Sequence, residues 1–309
     1  MKDSTKGFLL LSCAAILWGA IGPISKYIFT TGITPLETAF WRGTIAGVCY
    51  LIHFARARSQ KTVSARGTAT EFANQIHPYS IYRPHIFGIV VFGVFGVALL
   101  EGSYVFAVEE GGAALASILL YSAPIWVNLY SRFVLKESVT MRQWTALGFT
   151  TIGILGVSIL GGINAFSTKA IAFGLCSGLS YAAFYVAGKI FFTRSNPVSV
   201  YVLAFPVASL ALLPVIYLHS NLSPLDVILK LSHLELLPLL ALLSVGVFST
   251  YIPYICHGAG LKIISAGKAS IIASLEPVIA VCLAQFFWAE SFSTIGYFFI
   301  GLVLLGISM

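Results

Sequence analysis

SLEPVIAVCLAQFFWAES (residues 274–291) has a near copy earlier in the chain, YSAPIWVNLYSRFVLKES (residues 121–138), at a shift of 153 positions. An ungapped alignment of residues 111–156 with 264–309 gives eleven identities in 46 positions. Two apolar segments would share about four by chance. The identical pairs include Ala116/Ala269, Ser117/Ser270, Pro124/Pro277, Phe133/Phe286, Glu137/Glu290 and Gly153/Gly306. The chain therefore contains an internal repeat.

The composition is that of a membrane protein. Of the 309 residues, 58% are hydrophobic and 9% are charged, whereas a soluble domain has about a quarter charged residues. Apolar stretches of nearly 20 residues recur along the chain, and this length lets a helix cross about 30 Å of hydrocarbon. The stretch after Lys6 has no small-residue cleavage pattern, so we interpret it as a first span rather than a signal peptide.

The apolar pattern predicts an all-α integral membrane protein with ten transmembrane helices. The expected spans are 7–29, 36–55, 85–108, 112–134, 142–161, 168–192, 197–218, 234–259, 266–288 and 293–309. Residues 1–161 and 162–309 then form two five-helix repeats, and an odd number of spans inserts the second repeat upside down. A weaker match at a shift of 163 relates the first spans of the two halves through Cys13/Cys176, Lys26/Lys189 and Phe29/Phe192.

The basic residues predict the orientation. Fourteen Lys and Arg residues fall on one side of these spans, five of them in the polar loop 56–84, and only Lys26, Lys169 and Lys230 fall on the other. Cytoplasmic loops of membrane proteins carry this excess, so we expect both termini to be cytoplasmic and the protein to lie in the cell membrane. The same rule accounts for the net charge of +7 without a nucleic-acid partner.

Several classes of function lack support in the sequence. The five cysteines have no spacing typical of a disulfide framework or zinc site, and we expect no metal or other cofactor. No HExxH or GxSxG motif is present, and Asp3 and Asp226, the only aspartates, lie outside the expected spans. An intramembrane enzyme is therefore disfavoured. The sequence contains no Walker motif, so nothing in it indicates ATP-driven transport.

The chain resembles the EamA-type members of the drug/metabolite transporter superfamily. The resemblance rests on AGKASIIASLEPVIAVCLAQFFWAESFSTIGYFFIGLVLLGI (266–307), its first-half copy (113–157), ILWGAIGPISK (16–26) and FWRG (40–43). It implies ten helices in two inverted halves around a central cavity lined mainly by spans 1, 3, 4, 6, 8 and 9. It also implies secondary transport of small solutes. The long loop 56–84 and Ala123, which replaces Glu276 in the first copy, depart from the pattern.

Acidic residues at membrane depth are candidate functional residues because burying them there is costly. Glu101 lies in the middle of span 3, with Tyr104 on the same face; it is a candidate for binding a cation or proton, or for a hydrogen bond between helices. Glu276 is a candidate of the same kind, with a buried hydrogen bond to a hydroxyl as the alternative. Arg42 and Glu37 are expected to pair locally at the start of span 2.

The remaining site candidates are a histidine, several aromatic residues and two prolines. His257 is a candidate proton relay or a neutral hydrogen-bond donor to a backbone carbonyl. Trp18, Tyr121, Tyr181 and Tyr185 lie deep in spans expected to line the cavity, for substrate contact or for packing. Pro124 and Pro277 are expected to kink the helices in matching places. The alternative is a packing bend without a role in the cavity.

These observations favour a secondary transporter of a small metabolite, an amino acid or a related cationic or aromatic compound, with a proton as the candidate coupling ion. Acids at membrane depth with few bases beside them favour a substrate with an amine group, although Arg42 can bind a carboxylate. The alternatives are a passive channel or a membrane sensor. The expected partners are the solute and membrane lipids, and the oligomeric state is left open between monomer and homodimer.

Overall fold

The fold is described from a computed structural model, which describes residues 2–64, 85–160, 167–288 and 293–309. These residues form helices and connecting turns, with no β-strand among them. The α-helices are α1 Lys2–Gly19, α2 Ile21–Phe29, α3 Pro35–Ser64, α4 Ile86–Val91, α5 Leu99–Leu120, α6 Ala123–Phe133, α7 Met141–Leu160, α8 Thr168–Arg194, α9 Pro197–Ser220, α10 Pro224–Ser232, α11 Leu236–Gly246, α12 Ile252–Ile263, α13 Ala266–Ala273, α14 Leu275–Trp288 and α15 Thr294–Ser308. Two π-helical segments, Phe92–Ala98 and Val247–Tyr251, join α4 to α5 and α11 to α12.

Seven helical segments within the described residues are long and apolar enough to cross a membrane. They are Asp3–Phe29, Ile86–Ala113, Met141–Leu160, Thr168–Arg194, Pro197–Ser220, Leu236–Ile263 and Ala266–Phe287. The shorter α15 is also apolar. The all-helical membrane architecture is therefore confirmed, while the count of ten spans stays a prediction.

Several expected spans are built from two helices in line. Gly112, with φ 81° and ψ 162°, interrupts α5 at the residue where the sequence placed the start of span 4. The chain breaks again at Tyr121 and Ser122, directly before α6, and at Ser274, between α13 and α14. Each of these two breaks lies two or three residues before a proline, Pro124 or Pro277. Proline cannot supply the N–H that a continuous helix would need.

The polar segment expected as a loop over 56–84 is partly helical. Residues 56–64 continue α3 to Ser64, because no proline or glycine ends the helix at the membrane boundary. Residues 65–84 lie outside the described residues. A second addition to the expected pattern is α10, which begins with a capping box: the Ser223 hydroxyl accepts from the Asp226 N–H, and the Asp226 carboxylate accepts from Ser223.

Four pairs of helices make the main packing interfaces: α1 with α12, α5 with α8, α3 with α9, and α7 with α15. Glycines allow close approach at these interfaces, as small residues commonly do in membrane proteins. A Cβ at Gly174 of α8 would overlap a side-chain carbon of Leu119 in α5. A Cβ at Gly47 of α3 would lie 3.3 Å from Pro206 in α9.

Large apolar side chains cover the outer surface. Phe87, Leu218 and Phe286 are each about four-fifths exposed, an arrangement that a soluble protein avoids and that hydrocarbon stabilises. The five cysteines are all free thiols. The largest fully buried side chains are aromatic and include Tyr50, Phe184, Tyr185 and Tyr201.

Candidate functional site

A cavity of about 400 Å³ lies among α1, α2, α3, α5, α7, α8, α12 and α14. This volume is in the range of small-molecule sites. Most of the predicted site residues meet at its wall: Trp18, Glu101, Tyr104, Tyr121, Tyr181, Glu276 and Pro277. Residues from both halves of the chain therefore line one cavity.

An ion pair forms one side of the wall. The Arg42 guanidinium in α3 donates a short hydrogen bond to the Glu101 carboxylate in α5. The expected pair of Arg42 with Glu37 is wrong, since residues five apart on a helix are separated by about 140° around its axis. Glu37 is instead buried and pairs with Lys230 of α10 at 3.0 Å.

Glu276 lies in the first turn of α14, directly after the break at Ser274. The hydroxyl groups of Tyr121 and Tyr181 interact with its carboxyl group. Among the described residues, no Lys or Arg nitrogen lies within ion-pair distance of this carboxyl. Glu276 is therefore an acid held by tyrosine hydroxyls at a helix N-terminus, where the helix dipole favours negative charge.

Gly19 at the end of α1 brings this part of α14 close to the first span. A Cβ at Gly19 would lie 2.7 Å from the side chain of Ile279 and 2.9 Å from the carbonyl oxygen of Glu276. Both distances are shorter than van der Waals contact. A residue without a side chain at position 19 is thus needed to place Glu276 beside Trp18.

The predicted site residues do not include two residues that the structure places in the wall. Arg42 was assigned to a local pair, and Tyr254 of α12 was not selected at all, yet both line the cavity. Tyr254 interacts with Arg42, and at the shift of 153 it corresponds to Glu101. Its correspondence to Glu101 in the repeat is the sequence signal that could have identified it.

Tyr185 and His257 do not line this cavity. Both are fully buried behind Trp18, whose ring lies 5.3 Å from that of His257. Phe184 stacks on His257 at 5.0 Å, and Tyr185 meets it edge-on at 5.0 Å. Neither ring nitrogen of His257 has a hydrogen-bond partner among the described residues. Contact of these two residues with substrate stays a prediction.

The two prolines occupy different surroundings. Pro277 lines the cavity beside Glu276, whereas Pro124 is buried in the first turn of α6. Its neighbour Ala123, the counterpart of Glu276, is buried as well. At the matching helix breaks, one half therefore places an acid at the cavity wall, whereas the other half packs a methyl group in the core.

The arrangement suits the binding of a small cation or zwitterion. Two carboxyl groups and one guanidinium line the wall together with Trp18 and four tyrosines. With both acids ionised the charged wall residues sum to −1, and aromatic faces attract cations further. No group of three His, Cys, Asp or Glu residues in the described part of the chain could hold a metal ion.

Comparison with known proteins identifies the family. The sequence profile of the EamA-like transporter family matches residues 5–159 and again residues 168–309. The chain belongs to the EamA-like transporter family. As an EamA-like protein it is a multi-pass membrane transporter and not an enzyme, and members of this family reside in the cell membrane.

Relatives of this EamA-like protein are named as transporters without a stated substrate. An uncharacterized transporter of Archaeoglobus fulgidus is 28% identical over 206 residues, covering 67% of this chain and 68% of its own. The uncharacterized transporter YyaM of Bacillus subtilis is 22% identical over 282 residues, covering 90% of this chain and 84% of its own. A crystal structure with a TM-score of 0.73 and 16% identity, covering 98% of this chain and 96% of that chain, shares the fold.

Proposed function

We propose that the protein is a secondary transporter that moves a small amine-bearing metabolite, an amino acid or a related cationic or aromatic compound, by alternating access. In this proposal ten spans form two inverted five-helix halves around the cavity. The observation that carries it is the cavity itself, where Glu276 lies beside the Arg42–Glu101 pair and, among the described residues, has no Lys or Arg nitrogen within ion-pair distance.

The packing of the helices supports the proposed repeat. At the shifts of 163 and 153, α1 corresponds to the first part of α8, and α12 to the first part of α5. The interfaces α1–α12 and α8–α5 are then equivalent, and α3–α9 and α7–α15 each join corresponding helices. The two π-helical segments also fall at corresponding positions, as do the ends of α5 at Leu120 and of α13 at Ala273.

The charges support the substrate class. A substrate ammonium group would bind Glu276 and the faces of Trp18 and the tyrosines. A substrate carboxylate would bind Arg42, whose guanidinium can serve two acceptors. Such a ligand satisfies the charged groups of the wall without leaving one buried and unpaired.

Glu276 is also the proposed site of a coupling proton. A carboxyl group with no basic partner can become neutral by binding a proton, which lowers the cost of moving it through the membrane. Protonation and amine binding would then compete for the same group, and this competition would couple the two fluxes.

The first prediction tests this role. The protein in liposomes should accumulate labelled amino acids by counterflow, and Glu276→Gln should lower the rate by about 100-fold, since it removes a charge-assisted contact worth about 3 kcal/mol. The residual flux should not respond to a proton gradient. Glu235→Gln is the matched control, because Glu235 is exposed before α11 and its side chain makes no capping hydrogen bond.

Three outcomes would contradict the proposal. Wild-type counterflow in Glu276→Gln would remove this residue from the mechanism. Flux that rises with concentration without saturation would identify a channel, and the absence of any solute flux in the intact protein would favour a sensor.

A further inference from the structure

Within the described residues, the two halves contribute unequally to the lining of the cavity. Ile21, Gly22, Tyr104, Ala113 and Ser117 line it, and a Cβ at Gly22 would meet no atom within 4 Å. Their counterparts in the other half are all buried: Phe184, Tyr185, His257, Ala266 and Ser270. Equivalent sequence positions therefore line the cavity in one half and lie in the packed core in the other.

Polar contacts close the packed end. The Lys189 ammonium of α8 donates to the carbonyl oxygens of Leu261 at 2.7 Å and Ile264 at 2.8 Å. These carbonyls lie at the end of α12, where a helix leaves its last carbonyls without internal partners. Beside them, the Ala266 N–H at the start of α13 donates to the Glu137 carboxylate at 3.2 Å. Lys189 thus ties α8 to the end of α12.

The other half contains counterparts of these residues. Lys26 corresponds to Lys189, while Val108 and Gly111 correspond to Leu261 and Ile264. Gly112 interrupts α5 directly after them, so that their carbonyls also lie at a helix end. Lys26 is exposed, and Ala113, the counterpart of the buried Ala266, lines the open cavity.

We infer that Lys189 and Lys26 are alternative gate lysines. Lys189 holds one end of the transporter closed in this state, and in the opposite state Lys26 closes the other end by donating to the carbonyl oxygens of Val108 and Gly111. This inference rests on the proposed alternating-access function. It adds the two residues that close the two ends in turn. Charge-assisted bonds from an ammonium to two carbonyls suit a reversible gate, because they form without burying a pair of opposite charges.

The change between the two states also accounts for the surroundings of His257. Opening the Lys189 gate would bring Tyr185, His257 and Ser270 to the cavity wall, where Tyr104 and Ser117 now lie. The imidazole nitrogens, which have no partner among the described residues, would then meet water or solute. Tyr185 and His257, which lie behind the wall in this state, are thus part of the site in the opposite state.

Ser117 and Ser270 provide a matched pair of reporters, since they are the same residue at equivalent positions. Ser117→Cys and Ser270→Cys add little volume, and their reaction with a hydrophilic maleimide is measured in micelles by peptide mass spectrometry at the introduced site. We expect rapid labelling at position 117, which lines the cavity, and slow labelling at position 270, which is 2% exposed.

Lys189→Met should raise labelling at position 270 about tenfold and lower it at position 117, as a shift between two states requires. Adding Lys26→Met should reverse both changes. Lys268→Met is the control for charge, because Lys268 is an exposed lysine of α13 near the same end. Lys189→Gln keeps an N–H donor and should give a smaller shift in the same direction; it replaces Lys189→Met if that variant is not monodisperse.

The inference would be overturned if labelling at both positions rose together, if neither changed, or if Lys26→Met did not reverse the shift. Labelling needs no solute and so separates the two proposals. Reciprocal labelling without counterflow of amines would retain the gate and reject the substrate class. Counterflow without reciprocal labelling would reject the gate alone.

Discussion

The Arg42–Glu101 pair joins two residues that lie far apart in sequence on neighbouring helices. Their side chains are 10% and 18% exposed, so each partner depends on the other for charge compensation. The pair places a guanidinium at the cavity wall while keeping it neutralised in the absence of solute. Its contribution to stability is measurable separately from its role in transport.

Arg42→Gln or Glu101→Gln alone should lower the free energy of unfolding by about 3 kcal/mol, because each leaves a buried charge without its partner. The double variant should recover much of this loss. Lys169→Gln is the control, since it breaks the exposed pair with Glu110 and should change the free energy by less than about 1 kcal/mol. Denaturant unfolding in micelles measures all four variants, and simple additivity of the two single changes would contradict coupling between Arg42 and Glu101.

At the scale of single residues, the sequence predicted Glu276 better than Arg42. Glu276 stood out because its repeat counterpart is Ala123, so symmetry alone marked it as unusual. The partner of Arg42 is 59 positions away, and no local spacing could reveal it. Tyr185 was expected deep in the bundle and is buried; under the proposed gate, the state of the transporter decides which deep residues meet the cavity.

The contact between α7 and α15 depends on glycines at specific positions. A Cβ at Gly153 would lie 2.6 Å from Val303 and 2.7 Å from the carbonyl oxygen of Phe299, whereas a Cβ at Gly148 of the same helix would meet no atom within 4 Å. The two glycines therefore provide a test of close packing within one element.

Gly153→Ala should lower the free energy of unfolding by about 1–3 kcal/mol, since the added methyl group forces the helices apart. Gly148→Ala should be neutral or stabilising by up to about 1 kcal/mol, since alanine is the better helix former. Thermal unfolding in detergent, followed by size-exclusion chromatography, compares the two. Equal effects would show that the α7–α15 interface tolerates the methyl group.

At the scale of helices, hydrophobic length and punctuation predicted most elements. The helices break just before Pro124 and Pro277, because proline lacks the N–H that a continuous helix needs. Gly112 lies at an expected helix boundary. The glycine pairs in GTIAG (43–47) and GLCSG (174–178) lie at close contacts between helices. The extension of α3 to Ser64 and the short α10 were not predicted, because residues 56–64 are polar and α10 has only nine residues, so neither has the hydrophobic length of a span.

The whole molecule should lie in the membrane with both termini in the cytoplasm. Fourteen Lys and Arg residues against three on the opposite side predict this orientation. A fluorescent protein fused after Met309 should therefore be bright in cells, and alkaline phosphatase fused there should be inactive. Moving the reporters to the connection between α9 and α10 should reverse both results, and the opposite pattern would invert the topology.

The single acid at the start of α14 has a consequence for how such a carrier can be encoded. Two copies of the first half, paired with each other, would contain Ala123 twice and no carboxyl group at this position; two copies of the second half would set two carboxyl groups against each other. A cavity with one such acid requires two halves that differ. Under the proposed repeat, joining the halves in one chain is what allowed Glu276 to arise alone, so that the carrier cannot be rebuilt as a dimer of identical subunits.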